Sequence, residues 1–588
     1  MFHWVFIFTL IFVSYFGLSS FFSSPYLPLF HDQYQSERTF AMTRAIAFGQ
    51  LPPRVVDGFG FGFGYPLYNF YAPLPYFISS FFSLLGINTL LSTKLMIALG
   101  FISAFFTMYY VVSRYLSKQS ALIAALLYTL SPYHAVQLYV RGSIGELYAY
   151  TLLPFAIAFL IELFQNNKKI SAPIIVGMSF LFISHTVSLY ITVITISLGV
   201  VTWAIYTLFK SQKSKERKEL FTIGAKKTIY YFIMPLLLTA YFSLPAFVEV
   251  SQTRLSISGG NDVNYKDHFI TLAQVWDSPW GYAGSSATQD GMTFMLGKVS
   301  ILLTTLVVLL RLFNKSNKQS NNVLFNLSAI MLAISLLMMT PASLLLWQTL
   351  PLANLIQFPW RFLIFSNISV AIISALIWPS STIYIERFQI IRHEKVLFAA
   401  IIIIIGYALI FPINPAGIGQ NKFFKAKAFY EKDSQEIQDY KHISGEVSQV
   451  SYEYINPDID IQQAKGGYPG VNCTTLCRIR NENSTPDRLS FTVTTSSSGY
   501  ITIPRAHFPG YKVFIDNIQK ELVIKDGLMS VLIPSEGKFE VNFQLLDSPI
   551  RAISNIIAFT SLMGIIIFMQ IRSLPNLSTR KKCTTHGA

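Results

Sequence analysis

Four side chains that could take part in chemistry lie close together near the start of the sequence. His31 and Asp32 follow the first apolar run, and Glu37 and Arg38 come shortly afterwards on a helix-compatible stretch. An aspartate can accept a proton as a general base, and an arginine can bind an anion such as phosphate. A carboxylate beside a low-dielectric wall is expected to have a raised pKa, which suits a general base. The alternative is a solvated interfacial loop whose charges cap a helix.

Two further clusters could contribute to the same kind of site. Arg141 and Glu146 flank a turn of small residues in YVRGSIGELY, and Arg361 follows Trp360 in LIQFPWRFL. Charged groups near a membrane are costly to bury and often functional. Arg141 and Glu146 could instead form an ion pair that closes a loop. Arg361 could hold a lipid phosphate, or it could be an interfacial anchor whose stem snorkels to the surface.

The sequence gives little support for a metal centre. It contains no HExxH, no Walker loop and no paired CxxC. His185 is interpreted as a packed polar residue rather than a metal ligand. Cys473 and Cys477 in CTTLC could close a small disulfide loop in an oxidising location. No cofactor is firmly predicted, and a divalent metal remains possible.

Composition indicates what kind of scaffold must position these residues. Of the 588 residues, 52% are hydrophobic and 13% are charged, whereas a soluble domain carries about 25% charge. The net charge of +15 would suit nucleic acid, but the basic residues fall mostly in short loops between apolar runs. We therefore expect a polytopic α-helical membrane protein that binds no nucleic acid.

Apolar runs predict about twelve transmembrane helices. A helix needs about 17–25 residues to cross hydrocarbon. The runs at 121–131 and 171–184 are short and must borrow flanking residues. The twelve runs are 4–22, 93–112, 121–131, 148–164, 171–184, 187–209, 228–247, 298–313, 323–340, 362–380, 396–412 and 552–571.

The distribution of Lys and Arg predicts the orientation. With twelve spans and a cytoplasmic N-terminus, every short basic loop falls on the cytoplasmic side, as the positive-inside rule requires. The first run is interpreted as an uncleaved helix. Pro73–Leu85 is too short to span and is placed on the outer interface. The stretches predicted to lie outside are 23–92, the first loop; 132–147, the second loop; 248–297; 341–361; and 413–551.

The outer stretch 413–551 has the pattern of a mainly β domain. Apolar and polar residues alternate after about residue 489, and Asp526-Gly527 is a hairpin signal between two such runs. Short strands with turns between them favour a small β-sandwich. The predicted division is a transmembrane domain over 1–412, the β domain over 413–551, a final span at 552–571 and a basic cytoplasmic tail at 572–588.

Several motifs resemble known families. An Asp at the end of the first helix, a long first loop with interfacial helices and a distal soluble domain resemble the GT-C class of membrane glycosyltransferases. HDQYQSERTFAMTRAIAFGQLPPR, GFGYPLYNFYAPLPY, RGSIGE, SPWGYAGSS and QFPWRF are similar to bacterial membrane proteins with a 6-pyruvoyl-tetrahydropterin synthase-related domain. HFPGYKVFIDN and VLIPSEGKFEVNF resemble the distal β domain of YfhO-type proteins. The resemblance covers most of the chain.

The resemblance implies a function and a set of site residues. GT-C enzymes take a sugar from a polyprenyl-phosphate carrier, and an acidic residue of the first loop acts as general base or metal ligand. Asp32 matches that position and Glu146 matches an acidic residue of the second loop, so the resemblance implies that both are catalytic. His-Asp replaces a strict Asp-x-Asp or Glu-x-Asp, which leaves metal dependence open. The residues expected to bind substrate are His31, Glu37, Arg38, Arg141 and Arg361.

The implied activity is sugar transfer at a bacterial inner membrane to a glycan, lipid or protein of the cell envelope. Two alternatives stay open. A transporter or flippase of lipid-linked material is expected to show repeated halves and binding groups near the midplane, and the sequence has no convincing repeat. A non-catalytic scaffold of envelope polysaccharide assembly would need no carboxylate at Asp32.

Overall fold

A computed structural model describes most of the chain. The described residues are 2–165, 169–210, 213–258, 264–282, 291–313, 322–378, 394–410, 423–466 and 470–573. Predictions for residues 413–422 and for the tail beyond 573 lie outside these ranges.

Helices form the larger part of the described chain, and each predicted apolar run overlaps one. Helix Thr89–Ser113 begins after Asn88, whose side-chain oxygen accepts a hydrogen bond from the Leu91 amide, because the first amides of a helix have no partner within it. The main helices are Phe2–Leu18, Thr89–Ser113, Lys118–Thr129, Ile144–Phe164, Ala172–Phe182, Thr186–Lys210, Ser214–Thr228, Ala240–Glu249, Lys298–Phe313, Asn322–Met339, Leu363–Ala375, Glu394–Ile410 and Pro549–Ser573.

Fewer of these helices than predicted are long and apolar enough to cross a membrane alone. In the described ranges five pass, and up to seven pass if two bent helix pairs each count as one span. Several others are apolar but shorter, at 10–17 residues. The finding supports a helical membrane protein, and the count of twelve spans stays a prediction.

The first loop forms an ordered layer with the chain that precedes the β domain. Its helices are Gln35–Ala47, Leu67–Phe70 and Leu74–Leu84. Strand β1, Leu27–Pro28, pairs antiparallel with β2, Phe429–Tyr430. Buried aromatic residues of the loop share one hydrophobic cluster with aliphatic residues of 443–464. The loop is thereby held against a segment that lies far away in sequence.

The two sheets of the predicted β domain lie within residues 472–545, and we keep the name β domain for this region. Residues 434–464 of the predicted domain contain short helices instead. The four-stranded sheet has the order β3-β6-β10-β9, and the five-stranded sheet has the order β4-β5-β11-β7-β8. Buried residues of both sheets belong to one hydrophobic cluster, and the sandwich arrangement stays a prediction. The strands are β3 Asn472–Cys473, β4 Cys477–Ser484, β5 Arg488–Thr495, β6 Gly499–Ala506, β7 Tyr511–Ile515, β8 Ile518–Lys520, β9 Val523–Lys525, β10 Leu528–Ile533 and β11 Gly537–Leu545.

Two local predictions in the β domain are confirmed. Lys525 of β9 pairs with Leu528 of β10, so that Asp526 and Gly527 form the two-residue hairpin loop. Both have positive φ, 51° and 75°, as a type I′ turn requires. The possible disulfide between Cys473 and Cys477 is present.

Candidate active site where the first and second loops meet

Backbone hydrogen bonds join the first loop to the second. The amide of His31 donates to the carbonyl of Val140 at 2.9 Å, and the amide of Asp32 donates to the carbonyl of Arg141 at 2.8 Å. The Gln35 side chain donates from Nε2 to the Gly142 carbonyl at 2.9 Å. Asp32 and Arg141 are therefore held side by side, although more than a hundred residues of sequence separate them.

A local irregularity sets the direction of the second loop. Gln137–Arg141 forms one turn of π-helix and ends at Gly142, which has φ of 61°. A β-carbon on Gly142 would lie 2.2 Å from the ring of Phe30, so both its conformation and its contact require glycine. Single π-turns are frequent at functional sites. This turn reverses the chain so that Arg141 reaches the start of helix Ile144–Phe164.

The carboxylate of Glu146 holds two arginines. Arg141 donates from Nη1 to Oε2 at 2.7 Å, and Nε of Arg361 lies 3.6 Å from the same oxygen. The Tyr133 hydroxyl donates to Oε1, and Nε2 of Gln137 lies 3.4 Å from it. The Glu146 side chain has no exposed surface. Because two guanidinium groups share one carboxylate, the cluster keeps a net positive charge.

Buried donors without an acceptor lie beside this cluster. Nε of Arg361 and Nε1 of Trp360 are buried and make no hydrogen bond. The Arg141 guanidinium lies over the Trp360 ring, 4.7 Å from its centroid, and Arg361 donates from Nη1 to the carbonyl of Ile356 at 2.5 Å. Unpaired buried N–H groups are costly. An anionic ligand with several oxygens could satisfy them.

Asp32 lies at the solvent edge of the cluster, with 38% of its side chain exposed. Burial by itself raises the pKa of this carboxyl, but the hydrogen bond with His31 and the positive charges of Arg38 and Arg141 outweigh it. The pKa of Asp32 is therefore lowered, and the expectation of a raised pKa was wrong. The sequence could not show that three cationic groups surround the carboxylate.

His31 is the direct partner of Asp32. Its Nδ1 lies 3.0 Å from Oδ1 of Asp32, and 71% of its side chain is exposed. The hydrogen bond with Asp32 raises the pKa of His31, against a smaller lowering by burial. Protonated His31 and ionised Asp32 therefore favour each other.

Arg38 acts on Asp32 through its charge, from helix Gln35–Ala47. Its Nη1 donates to the Tyr71 hydroxyl at 3.2 Å, and the guanidinium stacks 4.6 Å from the Tyr71 ring centroid. Its Nε is buried without a hydrogen-bond partner. Arg38 thus adds a third arginine to the surroundings of Asp32.

The Glu37 side chain contacts His442, which lies outside the cluster around Glu146. Its Oε1 lies 2.8 Å from Nε2 of His442, and neither side chain is more than 7% exposed. His442 belongs to helix Tyr440–Gly445, in the segment that packs on the first loop. This pair ties the loop to that segment. The predicted role of Glu37 in binding substrate remains a prediction.

Sequence reasoning missed three residues of the cluster. Tyr133 and Gln137 contact Glu146 directly, and His185 interacts electrostatically with Glu146, Arg361, Arg141 and Asp32. Nδ1 of His185 accepts from the Ser188 amide at 3.2 Å. A β-carbon on Gly145 would lie 3.1 Å from the His185 ring, which places the ring against the start of the Glu146 helix. No motif in the sequence marks these residues.

The described residues offer no ready metal site. They contain no group of three His, Cys, Asp or Glu side chains that could hold a metal ion. The charges that Asp32 faces are cationic, from His31, Arg38 and Arg141, and such surroundings disfavour a divalent cation. The residues present do not fit the metal that the resemblance left open.

A protein-family model matches part of the chain. Residues 68–238 match the 6-pyruvoyl-tetrahydropterin synthase related domain, a membrane protein family. The predicted resemblance to this family is thereby confirmed over the matched residues. The domain includes Arg141, Glu146 and His185, whereas Asp32 precedes it and Arg361 follows it. No curated protein sequence shows significant similarity to the chain.

Similar solved structures come from the archaeon Archaeoglobus fulgidus. One is the apo form of its oligosaccharyltransferase, with a TM-score of 0.41 and 13% sequence identity. Another is the oligosaccharyltransferase AglB with an inhibitory peptide and a dolichol-phosphate, with a TM-score of 0.36 and 13% identity. Each alignment covers 73% of this chain and 56% of the solved chain. This chain therefore spans little more than half the length of those structures.

Proposed function

We propose that this protein transfers a sugar from a polyprenyl-phosphate-linked donor to an acceptor of the cell envelope on the outer side of the membrane. One observation carries the proposal. Asp32 offers a partly exposed, ionised carboxylate directly beside Arg141, in a cluster where two arginines share a single carboxylate. A base next to a surplus of positive charge suits a reaction that moves a proton and releases a phosphate.

The positively charged arginine cluster is assigned as the binding site of the lipid phosphate. Arg141 and Arg361 are fixed by Glu146, and their net charge is available to an anion. The unpaired N–H groups of Arg361 and Trp360 supply donors for phosphate oxygens. Donors held in place before the reaction stabilise charge that develops in the transition state. They would favour departure of the phosphate from the sugar.

Asp32 is assigned as the base that accepts the proton of the acceptor hydroxyl. The acceptor hydroxyl attacks the anomeric carbon, its oxygen forms the new glycosidic bond, and the bond from that carbon to the phosphate oxygen breaks. The proton of the hydroxyl passes to Asp32, and the phosphate leaves with the bonding electrons. Attack opposite the leaving group inverts the configuration. Since the pKa of Asp32 is lowered, it is a weak base, and most of the acceleration must come from positioning and phosphate stabilisation.

Glu146 is assigned a positioning role in this reaction. Both its oxygens already accept from cluster residues, so it lacks a free oxygen for an acceptor hydroxyl. Its charge holds Arg141 and Arg361 at one carboxylate, beside the place assigned to the phosphate. His185 adds a hydrogen-bonding group at the margin, since Ser188 occupies its Nδ1 and leaves Nε2 to face a ligand.

The deciding experiment combines a deletion strain with site variants. Surface glycans and lipid-linked sugars of the strain are analysed by mass spectrometry, and a missing sugar with an accumulating carrier identifies the donor. Asp32→Asn should reach wild-type abundance in the membrane but lower the transfer rate about 10²–10⁴-fold, the usual cost of losing a general base. Asp526→Asn, at the exposed hairpin of the β domain, is the matched control and should restore the sugar.

The same strain separates the alternatives. A flippase predicts that the lipid-linked sugar accumulates with the sugar on the cytoplasmic leaflet, and a scaffold predicts that Asp32→Asn restores the surface sugar fully. Either result would show that Asp32 is not the base of a sugar transfer.

A further inference from the structure

The five-stranded sheet of the β domain has one face towards the core and one towards solvent. Along β5, Leu489, Phe491 and Val493 are buried, and the intervening Thr492 and Thr494 are not. Side chains of a strand alternate between its two faces. The strand register therefore defines which residues of the neighbouring strands share the solvent side, which we name the outer face of the sheet.

Antiparallel pairing aligns the outer-face residues into rows across the strands. Two rows with cations at both ends enclose two further rows: one runs from Arg480 to Glu540, and the other holds amides, a hydroxyl and one aromatic ring. In order along the sheet the rows are Arg478–Thr494–Lys538, Arg480–Thr492–Glu540, Asn483–Ser490–Asn542–Phe514–Gln519 and Arg488–Gln544–Lys512.

Charge is segregated onto this face. Residues 470–548 contain eight basic and eight acidic side chains, so the β domain as a whole is neutral. The register nevertheless places five of the basic residues on the outer face, together with the carboxylate of Glu540. Glu482 of β4 lies in the bulge between Arg480 and Asn483, where the pairing register gives it no partner. The five basic residues are exposed, and within the described ranges none forms an ion pair; they are Arg478, Arg480, Arg488, Lys512 and Lys538.

The spacing of the cations suits an extended chain. Strands lie about 4.8 Å apart and rise about 3.3 Å per residue. The cations of the first and last rows therefore mark a patch about 10 Å wide and about 20 Å long. Such a patch is long enough for several successive units of a polymer, with negative groups at intervals.

The row between the cations suits sugar units. Phe514 offers a half-buried ring, and Oδ1 of Asn542 is buried without a hydrogen-bond partner. Amides and hydroxyls exchange hydrogen bonds with sugar hydroxyls, and an aromatic ring packs on the apolar side of a sugar. A charged lipid surface would use the cations alone and leave this row without a role.

We propose that the outer face binds an anionic glycan chain, with its carboxylate or phosphate groups at the cationic rows and its sugar units on the row of Phe514 and Asn542. We also identify this glycan as the acceptor of the sugar, and that identification rests on the proposed sugar transfer. Binding itself does not, because the face lies apart from Asp32 and Glu146 in the β domain.

Binding is tested with the purified full-length protein in a neutral detergent. The probes are oligogalacturonate and its fully methyl-esterified form, which share a backbone and differ in charge. Oligogalacturonate should bind and the ester should not. The double variant Arg478→Gln/Lys538→Gln should weaken binding about five- to tenfold, as expected for two exposed ionic contacts. Lys520→Gln/Lys525→Gln removes two exposed lysines that are not on the outer face, and it should bind as the wild type does. Lys520 alternates with Gln519 along β8 and pairs with the inward-facing Val513, and Lys525 lies on β9 of the other sheet.

Three outcomes would overturn the proposal: equal binding of acid and ester, equal weakening in both double variants, or binding of phosphatidylglycerol vesicles but not of oligogalacturonate. The last would assign the face to a lipid surface. Asp32→Asn should bind oligogalacturonate normally. Normal glycan binding with no transfer function would therefore refute the proposed function alone, and transfer without glycan binding would refute this inference alone.

Discussion

The Arg141 guanidinium donates to the Glu146 carboxylate at 2.7 Å, across a turn that only Gly142 can form. The same carboxylate oxygen also lies 3.6 Å from Nε of Arg361, so that Glu146 faces two arginines. Two arginines from distant parts of the sequence are thereby brought to one point. The buried carboxylate of Glu146 is the counter-charge that holds both arginines at this point.

Replacing Glu146 should therefore damage the fold of the site as well as its activity. Glu146→Gln keeps the size of the side chain but leaves two buried guanidinium groups without a counter-charge. We expect a loss of about 3–5 kcal/mol in unfolding free energy together with loss of transfer. Thermal unfolding of the purified protein measures the first, and the surface sugar measures the second. Glu521→Gln, at an exposed carboxylate, should change neither, and an unaltered melting temperature for Glu146→Gln would contradict the assigned role.

The His31–Asp32 pair predicts a specific dependence of stability on pH. The pKa of His31 is raised from 6.5, so its contribution is complete below that value and is lost as the pH rises through the raised pKa. The pKa of Asp32 is lowered from 3.8, so its contribution is present above that value and is lost as the pH falls through the lowered pKa. The ion pair thus stabilises the protein between these limits, by no more than about 1 kcal/mol because His31 is exposed.

This pH dependence is tested by measuring the melting temperatures of His31→Gln and the wild type across the pH range. The wild type should be the more stable near pH 5.5, and the difference should shrink towards pH 9, since about pH 6.5 is where an unperturbed histidine titrates. His3→Gln is the matched control and should show no such trend. A difference that grows with pH would show that His31 is not paired with Asp32 as a cation.

The Cys473–Cys477 disulfide should stabilise the β domain modestly. The two cysteines are four positions apart, and so short a loop restricts the unfolded chain by only about 2 kcal/mol. Reduction should lower the melting temperature slightly, and Cys473→Ser/Cys477→Ser should match the reduced wild type. Cys583→Ser should leave the effect of reduction intact. A large drop, or none in a verified oxidised sample, would contradict this account.

The orientation can be tested by cysteine labelling in intact cells. A cysteine replacing Lys215, in a basic loop predicted to be cytoplasmic, should be protected from an impermeant thiol reagent. A cysteine replacing Asp526, at the hairpin of the β domain, should be labelled. The background is the variant without native cysteines, and labelling after permeabilisation confirms that both sites are reactive. Labelling at 215 but not at 526 in intact cells would reverse the predicted orientation.

The sequence alone determined the elements whose signals are local. Apolar runs predicted the helices, because burial in lipid or in a helical core requires uninterrupted apolar stretches. Alternation after residue 489 and Asp526-Gly527 predicted strands and a hairpin, because strand faces alternate and the turn needs positive φ. Asp32, Arg141, Glu146 and Arg361 were singled out as charges in apolar surroundings, and the fold brings them together. Their roles in a reaction stay predictions.

The relations among those residues came only from the tertiary structure. The pKa of Asp32 depends on Arg38 and Arg141, and the partner of Glu37 is His442, some 400 residues away. His185, interpreted as a packed polar residue between two short helices, packs beside the start of the Glu146 helix, and no sequence pattern marks that contact. Electrostatic interactions act through space, over about 8–10 Å between exposed charges at physiological salt. They are decided by which loops meet, and a linear pattern does not record that.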